Sequence, residues 1–278
     1  MGFPQAVLGI DAAWTGTQPS GVALVVRDGQ GWRLEALAPS YPHFLGLLTL
    51  GDPPVGSPPA PEALLAAASK LCGRAVDLVA VDMPLSRLPI RGRRFSDQEV
   101  SKAYGARHCA THSPSAERPG RISDTLTRDF AGAGYRLQTR TAIAPGLIEV
   151  YPHPALIELT GAAKRLEYKV ARAGRYWPSC KPEERRARLF ERWESIAGAL
   201  EGEIRGVKAR FPKLERASGV AMKAREDMLD AIVCAWVGLC ALEGRATPYG
   251  DDDSATWIPK PWAEAAHRQA LAVAQASE

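Results

Sequence analysis

Apolar runs in the first 82 residues predict four strands and one helix. Residues 6–11 (AVLGID) and 20–26 (SGVALVV) are separated by a turn that contains Gly and Pro, which is typical of a strand hairpin. Residues 32–37 (WRLEAL) alternate apolar and polar positions, as a half-exposed strand does. Residues 62–71 (EALLAAASKL) indicate a helix, and residues 78–82 (LVAVD) form the continuous apolar run of a buried parallel strand.

The remaining pattern predicts one more strand, two long helices and an insertion. Residues 146–151 (GLIEVY) indicate a fifth strand, and helices are predicted around residues 183–200 and 224–242. Residues 85–140 interrupt the α/β alternation and predict a mainly helical cap. The fold class that we expect is therefore α/β, with a mixed five-stranded sheet flanked by helices.

The composition is that of an ordinary globular protein, with 46% hydrophobic and 24% charged residues in 278. It excludes a disordered, collagen-like or coiled-coil chain. Five widely spaced cysteines favour a reducing compartment over a disulfide framework. The longest uncharged apolar run, residues 231–242, has 12 residues, whereas a membrane span needs about 20. We expect a single soluble, cytoplasmic domain over residues 1–278, with no membrane partner.

The net charge of +4 is unevenly distributed along the chain. Residues 85–140 carry +6 and residues 164–216 carry +7, which leaves −9 for the remainder. Two basic segments in an otherwise acidic chain indicate a positive face for an anionic partner, with the phosphate backbone of DNA or RNA as the leading candidate. Arg91, Arg93 and Arg94 of the cap are candidate phosphate contacts. The alternative is that these arginines lie on solvated helix faces.

Four aspartates fall at positions where a buried carboxylate needs compensation. Asp11 and Asp82 end the first and fourth strands, each after a run of apolar residues. In a sheet with strand order 3-2-1-4-5 these two strands are neighbours, and their carboxyl ends meet at the edge where open α/β sheets place their sites. Asp227 and Asp230 are three residues apart on the apolar helix and share one face. Because adjacent carboxylates raise each other's pKa or require a cation, we expect Mg²⁺ or Mn²⁺ there.

Three further residues are candidates for the same site. Glu149 lies between apolar residues of the fifth strand and needs a partner, which the sequence leaves open as a metal, Lys169 or an arginine. His153 follows at the exit of that strand, where it could protonate a leaving group or contact phosphate. A backbone carbonyl that accepts from His153 is the alternative. Lys169 is a further candidate phosphate contact.

Together these segments resemble a known family. The resemblance is carried by residues 7–14 with 20–26, by 81–85 (VDMPL), by 148–154 (IEVYPHP) and by the pair Asp227-x-x-Asp230 followed by Ala231. They are similar to the family of predicted nucleases with a ribonuclease H fold that is catalogued as domain of unknown function 429.

The resemblance implies a ribonuclease H-like sheet and, by analogy with RuvC-type resolvases, catalytic carboxylates at Asp11, Asp82, Asp227 and Asp230. The RuvC-type pattern has Glu where this chain has Asp82. We expect a metal-dependent nuclease in which two ions, about 3.5–4 Å apart and bridged by Asp11, act on a phosphodiester. The alternatives are a non-catalytic nucleic-acid-binding protein and, because residues 9–15 (GIDAAWT) also suit it, an ATP-dependent phosphotransferase of the actin-like superfold.

Overall fold

The computed structural model describes residues 4–49, 51–212 and 218–261. Its strands are β1 (Ala6–Asp11), β2 (Gly21–Asp28), β3 (Gly31–Ala38), β4 (Leu78–Asp82), β5 (Gly146–Val150), β6 (Ala246–Gly250) and β7 (Ala255–Pro259). Its α-helices are α1 (Tyr41–Phe44), α2 (Pro61–Cys72), α3 (Phe95–Tyr104), α4 (Gly120–Gly132), α5 (Pro152–Thr160), α6 (Ala173–Tyr176), α7 (Pro182–Glu201), α8 (Val207–Arg210) and α9 (Gly219–Leu242).

The strands form one mixed sheet in the order β3-β2-β1-β4-β5-β7-β6. The predicted order of the first five strands is confirmed, but the prediction of five strands is wrong because β6 and β7 extend the sheet to seven. β7 pairs in parallel with β5, and β6 forms a hairpin with β7 at the sheet edge. Pro248 and the terminal Gly250 make the sequence of β6 look unlike a strand. An edge strand nevertheless tolerates proline, because one of its sides makes no hydrogen bonds to a neighbouring strand.

Each face of the sheet has its own apolar core. On one face, Val7, Ala80 and Ile148 of the central strands pack with α5, α7 and α9. On the other face, Leu8 and Val79 pack with α2 and with the buried side of α4. Successive side chains of a strand point to opposite faces, so odd-numbered residues of β1 and even-numbered residues of β4 and β5 point toward α9.

Helix α9 lies unusually close to the sheet because the strands beneath it carry glycine. A Cβ atom at Gly9 of β1 would lie 2.2 Å from the carbonyl oxygen of Ala231, and one at Gly21 of β2 would lie 2.2 Å from that of Asp227. No side chain fits at either position without moving the helix backbone. The two glycines therefore fix where the acidic residues of α9 stand relative to the end of β1.

The segment 85–140 contains two α-helices, which pack against different elements. Helix α3 contacts β6 and β7. Helix α4 contacts α2 and inserts Leu126 and Phe130 into the core below the sheet. In the part of the chain that the structure describes, no helix combines the length and the hydropathy that crossing a bilayer would need.

Candidate functional site

Asp11 and Asp82 are direct neighbours at the carboxyl end of the sheet. β1 and β4 pair in parallel, and their register places Asp11 opposite Asp82. Both strands are buried up to their last residue, whereas the two aspartates are partly exposed. On neighbouring strands about 4.8 Å apart, two carboxylates on the same face repel each other unless a proton or a cation lies between them.

Helix α9 adds three acidic residues to this edge of the sheet. It begins at Gly219, after the Ser218 hydroxyl accepts a hydrogen bond from the Ala221 amide at 3.2 Å, and not near residue 224 as predicted. Asp227 and Asp230 therefore lie in the helix interior, together with Glu226, and all three are buried. A role at the first turn of the helix does not explain any of them, because that turn ends before residue 224.

Asp230 is bound by two consecutive residues that precede the short helix α6. The Tyr168 hydroxyl donates to one carboxylate oxygen at 2.8 Å, and the Lys169 ammonium group binds the other. Lys169 also lies 3.4 Å from a carboxylate oxygen of Glu226, and the Val170 amide donates to Glu226 at 2.5 Å. Both oxygens of Asp230 and both of Glu226 are thus occupied within the protein.

A second lysine lies at the other end of the acidic group. Lys223 is one turn before Asp227 on α9, forms an ion pair with it, and lies 3.2 Å from Glu226. Its side chain is 50% exposed, so it is free to turn toward solvent. Two ammonium groups therefore face five carboxylates, which leaves a surplus of negative charge; the carboxylates belong to Asp11, Asp82, Glu226, Asp227 and Asp230.

Burial and the neighbouring carboxylates together raise the pKa values of the aspartates. Burial, together with the neighbouring Asp227, raises the pKa of Asp11 to about 7. Burial and the charge of Asp11 raise the pKa of Asp82 well above its ordinary value. Burial raises the pKa of Asp230 to about 6, although Lys169 opposes the change. With no further cation, the site holds protons that carboxylates in water would release.

The open side of the site is a cavity of about 490 Å³. Asp11, Asp82 and Asp227 line it, so three carboxylates from three elements of structure face one solvent-accessible space. Arg118 from the loop before α4 also lines it, and its guanidinium lies 5.9 Å from the ring centroid of Trp14. The cavity therefore combines acidic side chains that suit a cation with a basic one that suits an anion.

The donor set fits a hard divalent cation, since the carboxylates supply only oxygen ligands and surplus negative charge. The groups are not yet assembled around one point, because no three His, Cys, Asp or Glu side chains of the described residues are in position to hold a metal ion. Lys223 binds one carboxylate oxygen of Asp227 and so competes with an ion that Asp11, Asp82 and Asp227 would hold. Because the Lys223 side chain is half-exposed, breaking this ion pair costs about 1 kcal/mol or less.

Glu149 does not join the aspartates. It lies between Ile148 and Val150, whose side chains pack on the α9 side, so its own side chain points to the opposite face of the sheet. There it accepts hydrogen bonds from Arg94 at 2.9 Å and from the Thr256 hydroxyl at 2.7 Å. Of the three partners that the sequence left open for Glu149, the structure shows the arginine.

The arginines predicted as phosphate contacts do not line the cavity. Arg94 is buried and forms ion pairs with Glu149 and with Asp97, which accepts from it at 2.8 Å. Arg93 donates to the Ser101 hydroxyl at 2.6 Å and so holds helix α3. Arg91 is exposed. A charge count along the chain does not show which arginines turn inward, and Arg94 is one that does.

His153 and Lys169 lie behind the aspartates. Lys169 belongs to the acidic group itself, where it neutralises Asp230 rather than facing the cavity. His153 is buried, and its ring packs edge-on against Tyr168 with the centroids 5.4 Å apart. Burial and the nearby cations, Arg165 first, lower the pKa of His153 well below its ordinary value, so the ring is neutral. The ring of His153 therefore contacts Tyr151 on one side and the tyrosine that binds Asp230 on the other.

Sequence reasoning missed several residues of the site. The sequence indicated Arg118 only as one member of a basic segment. Glu226 and Lys223 were not predicted as site residues, although both shortly precede Asp227 on α9. Gly9 and Gly21 carried a usable signal, because a glycine inside an apolar strand often marks close approach of another backbone. Tyr168 carried none, since its contact with Asp230 spans 62 positions of the chain.

Comparison with known protein families gives one match. The family model described as "Protein of unknown function (DUF429)" matches residues 9–254, a range that begins within β1 and ends after β6. The chain belongs to this family. The matched range of this DUF429 protein begins two residues before Asp11 and contains all four aspartates. No curated protein and no solved structure matches the chain.

Proposed function

We propose that this DUF429 protein has a ribonuclease H-like fold and is a divalent-cation-dependent nuclease. One observation carries the proposal: Asp11 and Asp82 end adjacent parallel strands in register, and Asp227 completes a triad of carboxylates around one open cavity. A group of acids whose pKa values are raised by burial and by one another is poorly suited to a purely structural role. It is well suited to a site that gains a cation together with its substrate.

Each residue of the cavity has a distinct task in this proposal. Asp11, Asp82 and Asp227 would hold Mg²⁺ or Mn²⁺, which supplies a Lewis acid that stabilises charge on a phosphodiester and makes water a better nucleophile. Arg118 would bind a nonbridging phosphate oxygen and orient the nucleic acid. Lys223 would leave Asp227 and turn toward the phosphate, which replaces one ion pair by another.

We further propose that Lys169 takes the place of the second of the two ions expected from the sequence. Both carboxylate oxygens of Asp230 are bound, one by Tyr168 and one by Lys169. Burial alone lowers the pKa of Lys169, but Asp230 and its other neighbours raise it well above the ordinary value, which favours the charged ammonium form. We expect calorimetric titration with Mn²⁺ to give one ion per chain; two ions would show that Lys169 leaves Asp230.

The nuclease activity is tested by a cleavage panel with end-labelled single-stranded, duplex, hybrid and branched DNA and RNA. We expect cleavage that needs Mg²⁺ or Mn²⁺, and a loss on the order of a thousandfold in Asp11→Asn, because the metal contributes several kcal/mol to the transition state. Asp253→Asn is the matched control, since Asp253 is an exposed acid of the β6–β7 turn. Cleavage by Asp11→Asn at the wild-type rate would exclude this site as the catalytic centre.

A non-catalytic nucleic-acid-binding protein is the second candidate. It is favoured by the fact that Lys169 and Lys223 already neutralise part of the acidic group without any ion. In that case the chain would bind the same nucleic acids without added metal and cleave none of them, and Asp11→Asn would not change the affinity.

A further inference from the structure

A tryptophan lies beside the carboxylates, on the wall of the same cavity. Trp14 follows the last residue of β1 by three positions, is partly exposed, and lines the cavity of about 490 Å³ together with Asp11 and Val220. Val220 is 59% exposed, so apolar side chains as well as acids meet solvent there. Pockets for small organic ligands run from about 300 to 1,000 Å³, so this cavity has room for more than a metal ion.

Trp14 differs from the tryptophans that build the core. Four buried tryptophans donate the indole N–H to a fixed acceptor, as buried tryptophans usually do; they are Trp32, Trp193, Trp236 and Trp257. Within the described ranges of the chain, Trp14 is not one of these donors, and it is partly exposed. Packing against the core therefore accounts for only part of its side chain.

Trp177 resembles Trp14 in exposure but lies in another environment. It is partly exposed, and the guanidinium of Arg188 lies 5.8 Å from its ring centroid. The other residues that line the cavity beside Trp177 all belong to α7, and the four aspartates are not among them. A tryptophan next to an arginine is thus not specific by itself. What distinguishes Trp14 is that it stands beside carboxylates suited to a cation and a phosphate.

Arg118 connects the Trp14 ring with the phosphate of the proposed function. Its guanidinium lies 5.9 Å from the centroid of that ring, and its side chain is exposed. A cation–π contact at an exposed site is weak, so the guanidinium can turn from the ring to a phosphate oxygen and leave the ring face available. Of the groups that adjoin a phosphate in a nucleic acid, the base is the one that has a π face for an aromatic ring.

We propose that Trp14 stacks on the nucleobase whose phosphate is held in the carboxylate cavity. Every base has a π face, so this contact selects no sequence. It selects structure, because a base inside a duplex has both faces covered by its neighbours. The substrate class is therefore a nucleic acid with an unstacked base at the scissile phosphate, in a single strand, a loop or an overhang. This inference rests on the proposed function, which supplies the phosphate.

Calorimetric binding of adenosine 5′-monophosphate to the full chain in Mn²⁺ tests the contact, with ribose 5-phosphate as the probe that lacks a base. Neither ligand contains a phosphodiester, so nothing can be cleaved. We expect the nucleotide to bind about fivefold more tightly or better, which is the lower end of the effect of stacking one base on an aromatic side chain. Trp14→Leu should remove this preference by weakening the nucleotide alone. Trp14→Phe keeps an aromatic face and should retain most of it.

Two further variants separate stacking on a base from mere positioning of Arg118. Arg118→Met removes a phosphate contact and should weaken both ligands by the same factor, so the preference for the nucleotide stays. Trp177→Leu, the matched control, should change the binding of neither ligand. If Trp14 only held Arg118 in place or packed against the sugar, Trp14→Leu would weaken both ligands equally, and the proposal would be overturned.

Tryptophan fluorescence gives a second readout that does not depend on the Trp14→Leu protein being folded. The nucleotide should quench the emission of the wild-type chain, because a stacked base lies on the Trp14 ring, and ribose 5-phosphate should not. In Trp14→Phe this quenching should be absent, although the nucleotide still binds. Equal quenching of the wild type and of Trp14→Phe would overturn the contact.

The outcomes distinguish the base contact from the nuclease. A nucleotide that binds no more tightly than ribose 5-phosphate, or a preference that survives Trp14→Leu, would overturn the base contact even if the chain cleaves nucleic acid. A preference that depends on Trp14, in a chain that cleaves nothing, would support the base contact and overturn the nuclease.

Discussion

Two groups of acids at the same end of the sheet differ in how they are neutralised. The closed cluster comprises Glu149, Asp97 and Arg94, on the face opposite α9. There Arg94 binds both acids, and Glu149 also accepts from the Leu85 amide at 2.6 Å and from the Thr256 hydroxyl at 2.7 Å. Each carboxylate oxygen of Glu149 and of Asp97 therefore accepts a hydrogen bond from a group within the protein.

The open cluster comprises Asp11, Asp82 and Asp227, and faces the 490 Å³ cavity. Its ion pair within the cluster is made by the half-exposed Lys223, and the pKa of Asp11 is raised to about 7 by burial and by Asp227. The comparison shows that burial of an acid does not by itself mark a site. The distinguishing property is a deficit of fixed donors on the side that faces solvent.

Removing the arginine of the closed cluster should have the largest effect on stability. In Arg94→Met, Glu149 and Asp97 stay buried without their cation, and breaking a buried ion pair from one side costs about 3–5 kcal/mol. Urea unfolding followed by circular dichroism measures the loss. Arg91→Met, at an exposed arginine three positions away, should stay within about 0.5 kcal/mol of wild type. Equal stabilities of the two variants would mean that the closed cluster is not structural.

Removing an acid of the open cluster should increase the stability of the fold instead of lowering it. The pKa of Asp11 rises from 3.8 to about 7 on folding, so folding takes up a proton. The stability that this proton uptake contributes is lost as the pH rises from about 4 to about 7. In metal-free buffer with EDTA, Asp11→Asn should be more stable than wild type by about 2 kcal/mol at pH 8 and similar to it at pH 4.

The pH dependence of the difference in unfolding free energy is the measurement, and Asp253→Asn is its control. Asp253 is exposed, so its replacement should shift stability little at either pH. If Asp11→Asn is less stable than wild type at pH 8, a group within the protein stabilises the Asp11 carboxylate. The open cluster would then not differ from the closed one in its lack of fixed donors.

The sequence predicted the framework of the site because short-range patterns determine it. Apolar runs identified β1, β4 and β5. The acidic residue that ends β1 and the one that ends β4 showed where a carboxylate leaves the core. Strand order then placed Asp11 beside Asp82, as the register confirms. These steps need only the period of a strand and the usual neighbours of a parallel sheet.

The partners of the acids could not be predicted, because contacts between distant segments determine them. Arg94 meets Glu149 across 55 positions of the chain, and Lys169 meets Asp230 across 61. Arg91, Arg93 and Arg94 look alike in the sequence, yet one is buried in ion pairs and another is exposed. The direction of a long basic side chain depends on which acid lies within reach after folding, and no local period records it.

The smallest predicted effect concerns Lys223, the lysine that pairs with Asp227 of the open cluster. Lys223→Met removes an ion pair that is half-exposed, so stability should fall by at most about 1 kcal/mol. The same change frees the Asp227 carboxylate and makes the cavity more negative, so Mn²⁺ should bind up to about fivefold more tightly, as calorimetry would measure. Lys102→Met, at an exposed lysine of α3, should leave the affinity unchanged. Weaker binding in Lys223→Met would mean that the lysine organises the carboxylates for the cation instead of competing with it, and the open cluster would then resemble the closed one more than its exposure indicates.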